Sequence, residues 1–401
     1  MTPRSERAVA TVPCVGLARG RAEAMIEHPG ALLAFMLGVI AFSRELERRY
    51  VLVQQVSSAV VCTLLGIALS NLGVMPHASL TYDGVNTYAI PYAIVLVILA
   101  SDLRDLRLAG RAMVLSFVLA AIGSFTGALV AGVLFASAVG PESWKLSGQF
   151  AGSFVGGGMN FVAVGRGLQT EPNVFAAASV VNNLSTVPWM LAQVALYRAL
   201  ARFYRPLPAA LPAATESSIT ALRDRWSHAD ISLTDLAVLG ALPLVIMWAS
   251  ERLSPLLPGF PLVLWQTSLA LLTAQVPVVK RLNGTAVLSY FALHLFFVAI
   301  GTSAVFSALV GQGPMLAVFM VVVIAVHAVI AYGAGWCLKL DLASITIASQ
   351  AAVGGPGSAL ALAMSMQWPG LVTPGIILGI FGYAVGNYVG FACAYATRAL
   401  Q

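Results

Sequence analysis

Asn160 stands just after three consecutive glycines, Gly156, Gly157 and Gly158, in the stretch SFVGGGMNFVAVG (Ser153–Gly165). A second glycine-rich stretch, AVGGPGS, carries Gly354, Gly355 and Pro356, flanked by Gln350 and Ser358. Asn182 and Asn183 fall in the apolar segment after the first stretch, and Asn387 falls in the one after the second, on a stripe of Gly382, Gly386 and Gly390. Amides and hydroxyls in such surroundings offer neutral oxygens. They suit a dehydrated monovalent cation or a polar solute. The plainer use of the same groups is hydrogen bonding between helices, typically worth under about 1 kcal/mol per pair in membranes. The site residues expected are Asn160, Gly156, Gly157, Gly158, Asn182, Asn183, Gln350, Gly354, Gly355, Ser358 and Asn387.

Other chemistries lack their residues. Asp83, Asp102 and Asp105 lie at segment edges, the last two beside Arg104 and Arg107, and read as interface pairs. Neither glycine-rich stretch holds a carboxylate for a proton relay. His294 and His327 fall inside apolar segments and are candidates for titration, although a lone membrane histidine is more often a packing residue. The chain has no HExxH, no GxSxG and no GxxxxGK[ST], so no enzyme or ATP-driven pump is expected. Cys14, Cys62, Cys337 and Cys393 form no CxxC and no disulfide framework. No cofactor and no resident metal are expected; sodium enters only as a transported ion.

The elements that position these residues belong to a membrane. The 401 residues are 59% hydrophobic and only 9% charged, with mean hydropathy +0.87, against about 25% charged in a soluble domain. Apolar runs near the length a bilayer demands recur along the chain, without the period-two alternation of a β-barrel. The expected fold is all-α, a polytopic helical bundle. The net charge of +6 comes mainly from arginines between apolar runs and reads as topology and anchoring. No basic-aromatic surface points to nucleic acid. The partners expected are a small solute or ion and the lipid bilayer, with a homodimer left open.

Residues 1–28 form an arginine-bearing tail, faintly signal-like over Ala8–Ala18 but interrupted by Pro13. Six apolar segments follow at about 30–43, 51–74, 88–101, 112–139, 148–168 and 173–201. A polar linker over 203–232 precedes six more, at about 233–250, 259–279, 286–311, 314–338, 344–366 and 370–397. The halves, 29–202 and 233–401, echo each other. PYAIVLVILAS (Pro91–Ser101) matches YFALHLFFVAI (Tyr290–Ile300), and Phe154–Leu168 matches Ala352–Met366. The spacings agree, 64 positions from Tyr92 to Gly156 and 63 from Phe291 to Gly354. Duplicated helical units are typical of secondary transporters.

Each half thus carries one apolar segment that its own glycines break. An unpaired backbone group in hydrocarbon costs several kcal/mol, so non-helical backbone survives there only inside protein or beside water. A glycine in a helix interior itself costs about 1 kcal/mol, and Pro356 removes a donor. The expectation is two discontinuous helices, interrupted near Gly156–Gly158 and Gly354–Gly357, whose free backbone ends meet near the midplane. The competing explanation is close helix packing through small residues.

These residues resemble a known family. YDGVNTYAIPYAIVLVILASDLR (Tyr82–Arg104), GSFVGGGMNFVAVG (Gly152–Gly165), ASQAAVGGPGSALALA (Ala348–Ala363) and WPGLVTPGIILGIFGYAVGNYVG (Trp368–Gly390) are similar to the YjcL-like membrane proteins, domain of unknown function 819. The resemblance runs from about Ala31 to Ala396. It implies kinship with the cation/proton antiporter and bile-acid symporter superfamily, hence crossed broken helices in a core that moves against a scaffold.

Two features disagree. Segments pair at an offset of six, which makes the repeats parallel, whereas the superfamily implies inverted repeats. Arginines at 44–49, 102–111 and 166 share one side in the first half; Lys280, Arg281, Lys339 and Arg398 share one side in the second. The function expected is an ion-coupled secondary transporter of a small polar or anionic organic solute in the cell (inner) membrane, working by alternating access and coupled to sodium. The alternatives are a proton-coupled exchanger using the histidines, or an integral-membrane enzyme or structural protein.

Overall fold

The computed structural model describes residues 26, 28–50, 53, 58–205, 230–303 and 306–401. Most of the polar linker, 206–229, and nearly all of the N-terminal tail lie outside the described residues. Helices come in the order α1 (Pro29–Arg49), α2 (Ser58–Asn71), α3 (Leu80–Leu99), α4 (Arg111–Leu134), α5 (Ser143–Gly156), α6 (Gly158–Gly167) and α7 (Pro172–Leu200). After the linker come α8 (Leu233–Leu253), α9 (Leu262–Ala274), α10 (Thr285–Ser303), α11 (Phe306–Cys337), α12 (Leu342–Ser365) and α13 (Val372–Leu400).

Eight stretches among the described residues are long and apolar enough to cross a bilayer, residing in α1, α3, α4, α7, α8, α10, α11 and α13. Helices α2 and α9 are apolar but shorter. Large outward residues of the long helices are apolar: Phe35 and Phe42 of α1, Ile122 of α4, Trp248 of α8, and Val321 and Val329 of α11 are exposed, as lipid contact requires.

Contacts fix the direction of each helix. Ser289 Oγ donates to the Ala93 carbonyl at 2.7 Å while His77 Nδ1 meets the Thr302 carbonyl at 3.0 Å, so α3 and α10 are antiparallel. Ser58 Oγ contacts His294 Nε2 at 2.9 Å, and Gly66 packs on Gly301 and Thr302, so α2 runs parallel to α10. Gly123 packs on His327 and Gly127 on Val323, so α4 and α11 are antiparallel. The C-terminal ends of α1, α3, α7 and α11 therefore share one end of the bundle. That end is basic: it carries Arg48, Arg49, Arg104, Arg107, Arg205, Lys280, Arg281 and Lys339. There Lys280 pairs with Asp102, and Trp336 Nε1 donates to the Phe203 carbonyl at 3.1 Å.

The glycine-broken segments do not traverse the bundle. At the base of α5 and α6, Lys145 Nζ donates to the Gln169 carbonyl at 3.0 Å and Glu142 accepts from the Glu171 amide at 3.0 Å. Higher up, the Phe150 and Phe161 rings lie 5.5 Å apart. A straight helix would separate Glu142 from Glu171 by roughly 43 Å at 1.5 Å per residue. The segment is a helical hairpin with its base at the end opposite the basic one. Helix α12 doubles back as well. Its start, Asp341, forms a backbone β-bridge with Arg205. Three residues past its end, the Trp368 ring lies 4.7 Å from that of Tyr197, tilted by 59°. Gly375 packs against both Ile347 and Ala359, one on each arm. This second hairpin is rooted at the basic end. The expectation of two broken but spanning helices is thus corrected: each stretch breaks where foreseen, then returns to the face it came from.

Two charge placements are also corrected. Arg166 donates to the Asn86 carbonyl at the start of α3, and Arg398 lies 4.9 Å over the Trp144 ring. Both belong to the end opposite the basic one. Asp102 pairs with Lys280, across the halves, and accepts only a backbone N–H from Arg104, at 2.9 Å.

Candidate functional site

Each hairpin turns at one glycine. Gly157 has φ 76° and ψ −179°, and Gly355 has φ 74° and ψ −171°. This region is essentially closed to residues with a Cβ, which is why the turn needs glycine. Pro356 follows Gly355 as the first residue of the returning arm, where its missing N–H and fixed φ cost nothing. The sequence suggested that the proline breaks the helix; the conformation assigns the turn to Gly355.

Both tips abut Tyr383 of α13. A Cβ on Gly157 would lie 3.5 Å from its ring, and one on Gly355 would lie 3.3 Å from its hydroxyl. The first hairpin packs on α13 through two glycine rows at four-residue spacing. Gly148 faces Gly390, Gly152 faces Gly386 and Gly156 faces Gly382. Small residues let the backbones touch.

A cavity of about 470 Å³ opens between the tips. Gly157, Gly158 and Met159 line it from the first hairpin, and Val353, Gly354, Gly357, Ser358 and Ala361 from the second. Helix α7 crosses it with Asn182, Asn183 and Thr186. Tyr290, His294 and Tyr383 complete the far wall, with Arg44, Glu47 and Ser58 at its edge. Arg44 and Glu47 form an ion pair, so the charge there is balanced. The Tyr290 and Tyr383 side chains hydrogen-bond each other.

Of the residues singled out from the sequence, Gly157, Gly158, Asn182, Asn183, Gly354 and Ser358 line this cavity. Gly156, Asn160, Gln350, Gly355 and Asn387 stand behind it. Asn160 Nδ2 donates to the Tyr383 carbonyl at 3.0 Å and to Asn387 Oδ1 at 2.9 Å. Asn387 Nδ2 donates onward to Thr267 Oγ1 at 2.9 Å. These two asparagines therefore tie the first hairpin to α13 and α9. Gln350 is fully buried, and neither of its amide atoms has a hydrogen-bond partner; the same holds for Asn160 Oδ1 and Asn182 Oδ1. A buried polar atom left unpaired costs about 1–3 kcal/mol, so these atoms mark places where a ligand, an ion or water completes the shell. Ser358 Oγ and Gln350 Nε2 crowd the space above Gly354.

Sequence reasoning missed Tyr383, Tyr290 and Thr186. Tyr383 lies on the glycine stripe that was noticed, and its polar tip in an apolar helix was the available signal. Tyr290 and Thr186 gave none, since each is one hydroxyl among many. No group of three or more His, Cys, Asp or Glu side chains able to hold a metal gathers among the described residues.

His327 is fully buried behind the second hairpin. It contacts Ser124 Oγ at 2.8 Å and Ser349 Oγ at 2.7 Å, and Ser124 Oγ donates to the Phe154 carbonyl at 2.6 Å. One polar chain thereby joins the stems of both hairpins through the α4–α11 pair.

The chain is 29% identical over 375 residues to the uncharacterized membrane protein YjcL of Bacillus subtilis (strain 168), covering 90% of this chain and 94% of that protein. The family model described as protein of unknown function (DUF819) matches residues 31–400. With its apolar helices and its two glycine-tipped hairpins, this multi-pass membrane protein belongs to the DUF819 family.

Proposed function

We propose that this protein is a secondary transporter that carries a small polar or anionic organic solute across the cell (inner) membrane by alternating access, coupled to sodium, and that it is not an enzyme. One observation carries the reading: two re-entrant hairpins, rooted at opposite ends, bring their tips to one cavity and one tyrosine. Backbone freed from helical bonding is tolerated at membrane depth only beside protein or water, and transporters use such breaks to hold cargo.

The reading includes the repeat. Ten crossings, α1–α4, α7–α11 and α13, plus two hairpins give each half five crossings. An odd number inverts the second half relative to the first. This reconciles the six-element offset with inverted repeats, and it agrees with kinship to the antiporter and symporter superfamily. Positive charge gathers on cytoplasmic loops, so the basic end faces the cytoplasm and the second hairpin enters from there. The unpaired oxygens of Asn160 and Asn182 are the candidates for a sodium shell.

The test is sodium influx into proteoliposomes of the full chain. A panel of small metabolites, each added singly, is expected to include one that drives influx of labelled sodium, abolished in Gly157→Val. Absence of any solute-driven sodium or proton flux overturns the transporter reading. Proton coupling is the second reading, favoured by His294, which lines the cavity with Nε2 on Ser58 and Nδ1 at 2.7 Å from the Tyr290 carbonyl. Influx that needs a proton gradient and disappears in His294→Gln selects it over sodium.

A further inference from the structure

We propose that the cargo is a small organic acid with one carboxylate and an apolar body, its carboxylate held between the two hairpin tips. The proposal rests on the carrier reading and names its substrate class.

The polarity of the tips carries the argument. Two helix ends and two helix starts meet there, and they are not equally presented. The returning arms supply Gly158 and Met159 from one tip and Gly357 and Ser358 from the other. First-turn N–H groups of a helix have no intrahelical acceptor, and each N-terminus carries about half a unit of positive charge. The two together roughly match one carboxylate. The carbonyl end of the first arriving arm is turned away: the Val155 carbonyl faces Gly382 on α13, and the Gly157 amide closes on the Ser153 carbonyl. In the second hairpin the Gly355 carbonyl accepts from Ser358 Oγ at 3.1 Å.

The side chains extend this pattern. Asn182 is 5% exposed, lines the cavity and has an oxygen without a partner. Asn182 Nδ2 and Asn183 Oδ1 stand 3.9 and 3.3 Å from the Cβ position of Gly158. An amide rotates to offer N–H or oxygen as its neighbour demands. Thr186 adds a hydroxyl on the other side, where Ser358 Oγ donates to the Gly355 carbonyl at 3.1 Å. Beyond these groups Val187, Met190, Leu293 and Phe297 form an apolar patch of the wall beside Tyr290, His294 and Tyr383. The cationic side chain Arg44 is already paired with Glu47. A second carboxylate or a phosphate dianion would therefore meet no free cation, and a sugar would leave its hydroxyls against hydrocarbon.

Thermal unfolding of the detergent-purified full chain in sodium chloride tests this. The probes are isovalerate and benzoate, beside their neutral amides, isovaleramide and benzamide, and the diacid succinate. A ligand that binds only the native state raises the midpoint. At least one monoacid is expected to raise it saturably, while the amides and succinate do not. Asn183→Asp puts a like charge beside the carboxylate and should raise the half-saturating concentration tenfold or more. If that variant does not fold, Thr186→Val serves, with a rise of threefold or more. Equal shifts by acids and amides, a shift by succinate alone, or no shift by either monoacid overturns the proposal. Uptake of the labelled acid is scored separately. Binding without uptake overturns the carrier reading and leaves the site; solute-driven sodium flux without acid binding does the reverse.

Discussion

Gly157 and Gly355 share one backbone conformation, φ 76°, ψ −179° and φ 74°, ψ −171°, and both meet the Tyr383 side chain. They are 198 residues apart in the chain and belong to hairpins rooted at opposite ends. Turns this similar, met on one ring, make Tyr383 the point where the two halves register.

The shared conformation predicts its own cost. Gly157→Ala and Gly355→Ala should each destabilise the protein by about 1–3 kcal/mol, because a Cβ in this region is strained. Gly240→Ala is the contrast, since its Cβ would meet nothing within 4 Å. It should stay within about 1 kcal/mol of the parent. Unfolding midpoints in detergent measure all three, and equal effects would show that the tips are not strained.

Hairpins predict a labelling pattern that spanning helices cannot give. In a cysteine-free background, cysteines at Glu142 and Thr170 should react from the same side of oriented vesicles. Cysteines at Lys339 and Gln367 should react from the other side. Opposite accessibility within either pair would restore a traversing segment.

The Asn160–Asn387 hydrogen bond predicts coupling. In a double-mutant cycle with Asn160→Ala and Asn387→Ala, the interaction should be about 0.6 kcal/mol, the average for a polar pair in a membrane protein. Strict additivity in thermal or denaturant unfolding would remove the link between hairpin and α13.

Asp102 predicts an acid-side effect. Burial pushes its carboxyl up, but Lys280 and the Arg104 amide outweigh this and hold it below its ordinary value of 3.8. A depressed carboxylate stabilises the fold fully above that value and loses its contribution as pH falls through the folded one. Asp102→Asn should cost about 1 kcal/mol or less, as the pair is partly exposed. The deficit should shrink below pH 3.8. A deficit that persists unchanged at lower pH would assign the loss to packing instead of charge.

Much was legible in the chain itself. Membrane residence follows from the scarcity of charge, because hydrocarbon admits little else. The two breaks follow from runs of glycine that no apolar helix needs, and both fell at the residues indicated. Asn182, Asn183 and Ser358 were singled out because a polar group amid apolar neighbours must find a partner.

Tertiary structure alone decided the rest. A glycine permits a turn but does not say whether the chain continues or reverses. Reversal is set by contacts between distant residues, Glu142 with Glu171, Asp341 with Arg205 and Trp368 with Tyr197, and local periodicity carries none of them. The count of crossings depends on that reversal, and with it the side on which Arg166 and Arg398 lie. The roles of the asparagines were undecided for the same reason. Asn160 and Asn182 have the same chemistry, but α13 meets one with a carbonyl and an amide, while the other faces the cavity between the hairpin tips.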